Sequence, residues 1–292
     1  VIEAVPPDGF VESPDGTPIA WWNSAGSVAR PAAGQGAAEP RPTLVLVHGA
    51  TADHTAFRAV APRFGASRAV ISIDRRGRGA SGDHLPYAIE REYEDVAAVV
   101  DWLAAETGGP IDVVGHSFGG RCGLGAALLT NNLRRLVVYE GAPAPAGRSF
   151  HDETLLAELD ELHRAGEDDA LMAAFMSKIV GLSPAEVAAY RASPTWPIRA
   201  AAAGTAIREL RAEAGRDAGV ERFSQIRIPV LQLVGGASPT IFTSGTRELD
   251  RVLPDGRLIV LTGQKHAAHH TSPALFVAAV EGFLDERDTI PP

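Results

Sequence analysis

The chain has 292 residues, of which 45% are hydrophobic, enough for a large buried core without disulfides or metals. Its single cysteine, Cys122, excludes an intrachain disulfide and a thiol-rich metal site. A net charge of −9 repels phosphate backbones and argues against nucleic acid as a partner, and no apolar run approaches the roughly 20 residues that span a bilayer.

The N-terminus, VIEAVPPDGF, has neither the basic nor the apolar stretch of a signal peptide, so a cytoplasmic location is expected. The chain begins at Val1 rather than Met, which leaves a removed leader open. Two short strands are expected around Phe10 to Glu12 and Thr17 to Trp22, with Asp15-Gly16 turning between them. Residues 25–42 are rich in Ala, Gly and Pro without apolar period and read as a surface loop. TLVLVHG (43–49) is a continuous apolar run, as a strand buried on both faces requires. DHTAFRAVAPRF then reads as a helix, AVISID (69–74) as a strand and residues 89–106 as a long amphipathic helix. IDVVGH (111–116) is a strand, residues 117–130 a helix, and LRRLVVYE (133–140) another strand. Alternation of this kind predicts an α/β fold, a mostly parallel central sheet with helices on both faces.

From Gly141 to Arg227 the alternation stops and every apolar pattern is helical. DETLLAELDELHRA, DALMAAFMSKIV, SPAEVAAYRAS and WPIRAAAAGTAIRELRAEAG are four expected helices, with Pro184 and Pro197 in first turns where proline is tolerated. The block is an insertion between two strands. The sheet resumes with IPVLQLVGG (228–236) and GRLIVLTG (256–263), and SPALFVAAVEGFLDE forms a closing helix. Residues 1–140 and 228–292 thus make one core and 141–227 a helical insertion. There is no internal repeat.

Three motifs carry chemistry. Gly115-His116-Ser117-Phe118-Gly119 fits G-x-S-x-G between a strand and a helix, the context in which a sharp turn exposes a nucleophilic serine at a helix N-terminus. His48-Gly49-Ala50-Thr51 ends a buried strand. Acyl transfer needs two backbone N–H groups aimed at the developing oxyanion. Phe118 supplies one and the loop after this strand the other, from Ala50 first and Thr51 second, with His48 structural. Gly263-Gln264-Lys265-His266 follows the last strand, and a histidine there can take the serine proton. His269 and His270 are expected at the start of the final helix. No carboxylate accompanies this histidine cluster, so no metal is expected.

With LVLVHGA, DRRGRGASG (74–82), VVGHSFGG and LTGQKHAAH in this order, the chain resembles the α/β-hydrolase-fold enzymes over nearly its whole length. The resemblance implies that Asp74 and Arg76 fix their loop and that 141–227 is a helical cap. It departs from the family at the acid. The usual place, after VLQLVGG, holds Ala237-Ser238-Pro239-Thr240. Some members draw the acid from the end of the preceding core strand, which is Glu140 here, and Asp250 and Asp255 stand as fallbacks on a helix and in a Pro-Asp-Gly turn. Cys122 reads as a small packed residue. Trp196, Phe175, Met172 and Met176 are expected to face inward on the cap, either lining a substrate pocket or holding cap helices together.

The expected activity is hydrolysis of a carboxylic ester through an acyl-enzyme, with Ser117, His266 and Glu140 as triad, Ala50 and Phe118 as oxyanion hole, Trp196 and Phe175 toward the substrate, and no cofactor. The same parts serve lactones, thioesters and carbon–carbon bonds in this family, and a non-enzymatic small-molecule receptor can keep the same triad. An Asp-nucleophile dehalogenase or epoxide hydrolase is argued against by Ser117. The expected partner is a small-molecule substrate, without nucleic acid or membrane.

Overall fold

The computed structural model describes residues 5–24, 41–144, 148–213 and 219–286. All but the end of the Ala/Gly/Pro-rich stretch at 25–42 lies outside the described residues. An eight-stranded sheet runs in the order β1-β2-β4-β3-β5-β6-β7-β8. Strands β1 (Gly9–Glu12) and β2 (Pro18–Asn23) form an antiparallel hairpin through Gly16, whose φ of 83° suits a residue without a side chain. Strand β2 also runs antiparallel to β4 (Val70–Ile73). From β4 onward, β3 (Leu44–Val47), β5 (Ile111–His116), β6 (Leu133–Tyr139), β7 (Val230–Gly235) and β8 (Gly256–Leu261) are parallel.

Side chains alternate across a strand, so each buried strand feeds two cores. Val45, Val47, Ile71 and Val113 pack with Val96, Val100 and Leu103 of the helix Ile89–Thr107 on one face. Leu44, Leu46, Val114 and Leu231 pack on the other with Phe57, Phe64 and with Phe276 and Phe283 of the closing helix Pro273–Leu284. The chain goes from β3 outward to β4 and then crosses back to β5 on the other side of β3. Loops at the carboxyl ends of β3 and β5 therefore diverge to opposite faces and leave a crevice, the usual binding position in such sheets.

The inserted helices are Glu153–Arg164, Asp168–Lys178, Pro184–Arg191, Trp196–Ala201 and Ala203–Glu213. Leu159, Leu171, Phe175, Trp196, Ile207 and Leu210 form a third apolar cluster, against which Ala50 of the core also packs. Three sequence expectations change. The helix expected over DHTAFRAVAPRF is a 3-10 turn, His54–Phe57, and a separate short helix, Ala61–Phe64. A continuous helix would need an N–H at Pro62, which has none. The single helix expected from Trp196 is interrupted at Ala202, where Gly204 lets the His163 ring lie against the backbone. His269 and His270 lie on a separate turn, Ala268–Thr271, because Pro273 at the first turn of the closing helix cannot continue a preceding one. No helix among the described residues is long and apolar enough to cross a membrane.

Candidate active site

The crevice is a cavity of about 870 Å³, lined by the ends of β3, β5, β6 and β8 and by the inserted helices. Ser117 stands between β5 and the helix Phe118–Ala126 with φ 52° and ψ −126°, a strained backbone for a residue with a side chain. The glycines around it are a packing requirement. A Cβ on Gly119 would lie 2.3 Å from the Val47 carbonyl oxygen, and one on Gly115 would lie 2.5 Å from the Gly119 carbonyl oxygen. A Cβ on Gly141 would meet the Ser117 carbonyl oxygen at 2.5 Å. The elbow is thus wedged between β3 and the end of β6. Gly49 in turn lets the β3 loop approach Ser117 Cβ.

The other non-glycine residues with positive φ are Thr51 (56°) and Glu140 (48°). All three flank the cavity at strand ends. Glu140 directly follows β6, and its carboxylate is completely shielded from solvent. His266 Nδ1 donates to Glu140 Oε2 at 2.5 Å. Gly235 N and Ser238 Oγ donate to Oε1 at 2.7 Å and 2.5 Å. Ser238 lies in the loop after β7, the usual place of the acid in the family that the chain resembles. The loop that lacks a carboxylate instead holds the one supplied by β6. Asp250 accepts a hydrogen bond from Gln232 and Asp255 is exposed beside Arg257, and neither lines the cavity.

With Nδ1–H pointing at Glu140, the neutral His266 ring carries its lone pair on Nε2. Ser117 and His266 line the same cavity. Phe242 stacks on the His266 ring at 4.5 Å between centroids. Behind it, His116 Nε2 donates to the His266 carbonyl oxygen at 2.8 Å, and Tyr139 Oη donates to the Lys265 carbonyl oxygen while accepting from Ala268 N. The backbone around His266 is thus pinned from two strands. Burial, followed by the His266 charge, pushes the His116 pKa well below its ordinary value. The resulting neutral ring can donate from Nε2 as the structure requires. Nothing in the sequence pattern marks His116 or Tyr139 for this role, although His116 sits beside the serine in the elbow motif.

Ala50 and Phe118 both line the cavity. Phe118 is the first residue of its helix, so its N–H has no intrahelical acceptor. His48 is fully buried and structural. Arg75 N donates to its Nε2 at 3.0 Å, and its Nδ1 donates to the Gly49 carbonyl oxygen at 2.8 Å. Asp74 accepts from His54 N and Ala80 N, while Arg76 pairs with Asp95 and Asp15, so both residues fix their loop. Cys122 is fully buried, its thiol pKa pushed up by burial.

The same loop supplies a buried charge cluster beneath the cavity. Arg75 forks onto Glu92 with two bonds of 2.7 Å, and Arg75 and Arg78 both reach Glu209 of the inserted helix Ala203–Glu213. Burial works to raise the Glu92 pKa, but Arg75 and Arg78 outweigh it and hold the carboxyl below its ordinary value. This ion-pair cluster ties the insertion to the core.

Phe175 and Met176 line the cavity, whereas Trp196 and Met172 do not. Trp196 is a correction to the sequence expectation. Its ring packs edge-on against Tyr190, and its Nε1–H donates to Asp169 at 2.6 Å. A buried indole needs an acceptor, and the one available lies on a neighbouring inserted helix rather than toward the cavity.

Residues 44–279 match the model of the alpha/beta hydrolase family. Among curated relatives, the chain is 24% identical over 255 residues to the 2-(acetamidomethylene)succinate hydrolase of Mesorhizobium japonicum, covering 84% of this chain and 88% of that protein. It is 25% identical over 258 residues to a pimeloyl-[acyl-carrier protein] methyl ester esterase of Neisseria meningitidis, covering 83% and 92%. The crystal structure of an alpha/beta hydrolase from Sphaerobacter thermophilus superposes with a TM-score of 0.77 at 33% identity, covering 94% of this chain and 99% of that one.

Proposed function

The chain belongs to the alpha/beta hydrolase family, and from that premise we propose that it is a serine-dependent hydrolase of carboxylic esters working through an acyl-enzyme. The observation that carries this reading is Ser117 on its strained elbow, in one cavity with a His266 whose Nδ1 is held by the buried Glu140 carboxylate. A serine hydroxyl is a weak nucleophile until a base takes its proton. His266 Nε2 accepts that proton as Ser117 Oγ attacks the ester carbonyl, and Glu140 offsets the imidazolium charge that results. The N–H groups of Phe118 and Ala50 receive the oxyanion. His266 then protonates the departing alcohol, leaving Ser117 acylated. Water adds to the acyl group with His266 again as base, and the carboxylic acid leaves as Ser117 recovers its proton. Residues 141–227 act as a cap that closes the cavity over the acyl and alcohol groups.

Ser117→Ala is expected to lower kcat/KM for 4-nitrophenyl esters by roughly 10⁴ to 10⁶-fold with an unchanged melting temperature. Hydrolysis retained by the purified variant defeats the assignment.

A further inference from the structure

The ionic groups around the cavity are nearly all matched. Glu140 is engaged by His266, Glu186 by Lys265 at 2.7 Å, and Glu209 by Arg75 and Arg78. Arg199 is the buried exception. It lies on the inserted helix Trp196–Ala201, lines the cavity and is only 8% exposed. Among the described residues its guanidinium makes no hydrogen bond and no ion pair, and Glu209, which also lines the cavity, is held by Arg75 and Arg78 instead. Arg75 and Arg78 are matched by Glu92 and Glu209, and the Arg199 charge shares in neither pair.

A mostly buried guanidinium without a counter-ion is costly, and a ligand carboxylate in the cavity would offset that cost. Its planar fork suits a carboxylate held by two parallel hydrogen bonds. Hydroxyls from the same stretch line the cavity with it, those of Tyr190, Ser193 and Thr195, with Ser193 Oγ and Thr195 Oγ1 3.0 Å apart. Apart from Glu186 and Glu209, which are held by Lys265 and by Arg75 and Arg78, the wall on the insertion side is largely apolar, including Phe175, Met176, Ile179, Leu182 and Leu210. Arg199 also acts on the catalytic end of the cavity. After burial, its charge helps to keep His270 deprotonated, with a pKa lowered to about 4, and it works in the same direction on His116 and His269. Arg58, exposed and also on the cavity wall, adds a second cation able to draw anions toward the opening.

We infer that Arg199 is an anion subsite of this cavity and that the substrate carries a carboxylate in addition to the carbonyl that is cleaved. The inference rests on the esterase reading for its reaction but not for its binding, and two measurements separate them. The first compares 4-nitrophenyl hemiesters of succinate, glutarate and adipate with neutral 4-nitrophenyl esters of matching chain length. The intact enzyme should favour at least one hemiester by about tenfold in kcat/KM. Arg199→Ala should abolish that preference, lowering kcat/KM on the hemiester about tenfold relative to the neutral ester, chiefly through KM, and Arg199→Lys should restore part of it. The second uses the Ser117→Ala protein, which cannot turn substrate over, and measures binding of the three free diacids by calorimetry. Binding that disappears in the Ser117→Ala, Arg199→Ala double variant supports the subsite even if no ester is hydrolysed. Absence of diacid binding to the Ser117→Ala protein overturns it. So does an equal loss on hemiesters and neutral esters in Arg199→Ala accompanied by a lower melting temperature, because Arg199 would then serve only to hold the insertion together.

Discussion

At the scale of the residue, Glu140 shows how much one carboxylate depends on its surroundings. Two donors, Gly235 N–H and Ser238 Oγ–H, fix Oε1, so Oε2 is left for His266. That asymmetry predicts the effect of a neutral replacement. In Glu140→Gln the amide oxygen must stay with the two donors, which places the amide NH₂ against His266 Nδ1. The histidine then has to accept there and carry its proton on Nε2, the tautomer that cannot take a proton from Ser117. The imidazolium also loses its counter-ion. We expect kcat to fall about 10⁴-fold, as for the comparable change in a serine protease triad. Asp250→Asn and Asp255→Asn, which sit away from the cavity, should stay within about twofold. Stopped assays with a single 4-nitrophenyl ester decide it, and a Glu140→Gln variant of near-normal kcat would remove Glu140 from the mechanism. Ser117 and His266 could be named from the sequence because each follows a recognisable strand, and Glu140 only through the resemblance, with Asp250 and Asp255 left beside it. Ser238, Phe242, His116 and Tyr139 could not, since their contacts with His266 or Glu140 join residues that are 24 to 150 positions apart.

At the scale of the element, the inserted helices separate two roles that the sequence left joined. Phe175 and Trp196 are both buried, at 5% and 3% exposure, yet only Phe175 faces the cavity. Phe175→Ala should therefore enlarge the cavity and shift the ratio of kcat/KM between long and short acyl chains by about tenfold. Trp196→Ala should instead cost about 3–5 kcal/mol of stability, from lost burial and the hydrogen bond to Asp169, while slowing all chain lengths alike. Rates across an acyl series, read beside denaturant titrations, distinguish the two. A chain-length shift in Trp196→Ala without destabilisation would reverse the assignment. Helical spacing identified these segments as amphipathic, but it gives only the direction of an apolar stripe. A short helix clamped between other helices and a cavity buries residues on more than one side, and the spacing does not say which side meets ligand.

At the scale of the whole molecule, four histidines, two buried (His48, His269) and two half-buried (His116, His270), are held as neutral groups. Burial pushes His48, His116 and His269 well below their ordinary pKa, and His270 down to about 4. In the unfolded chain each would titrate near its ordinary value of about 6.5. Between that value and the folded pKa the unfolded state binds more protons, so stability is fully present above pH 6.5 and is lost as pH falls. His270 alone accounts for on the order of 3 kcal/mol across its window. Asp95, raised by burial to about 6, and Asp112, also raised by burial, act in the opposite sense below pH 6. The histidines outnumber them, so urea unfolding should show stability decreasing from pH 7 to pH 5. A flat or rising profile over that interval would show that these histidines become protonated without unfolding.

Much of the architecture, and the placement of Ser117 and His266 at strand ends, are local properties. The parallel strands announce themselves as apolar runs because a strand covered on both faces has no polar side to show. The elbow announces itself because only small residues let a strand and helix meet around a serine with positive φ, as Gly115 and Gly119 do here. The sequence by itself therefore determined the α/β architecture, the helical insertion and the positions of Ser117 and His266 at strand ends. Tertiary structure alone decided how the Glu140 oxygens are divided between the β7 loop and His266, which aromatic side chain faces the cavity, and that Arg199 is left there without an ion pair among the described residues. Each of these depends on distances between groups remote in the chain, and hydrogen bonds and ion pairs weaken or vanish within a few ångströms, a scale that periodicity and spacing along a sequence do not resolve.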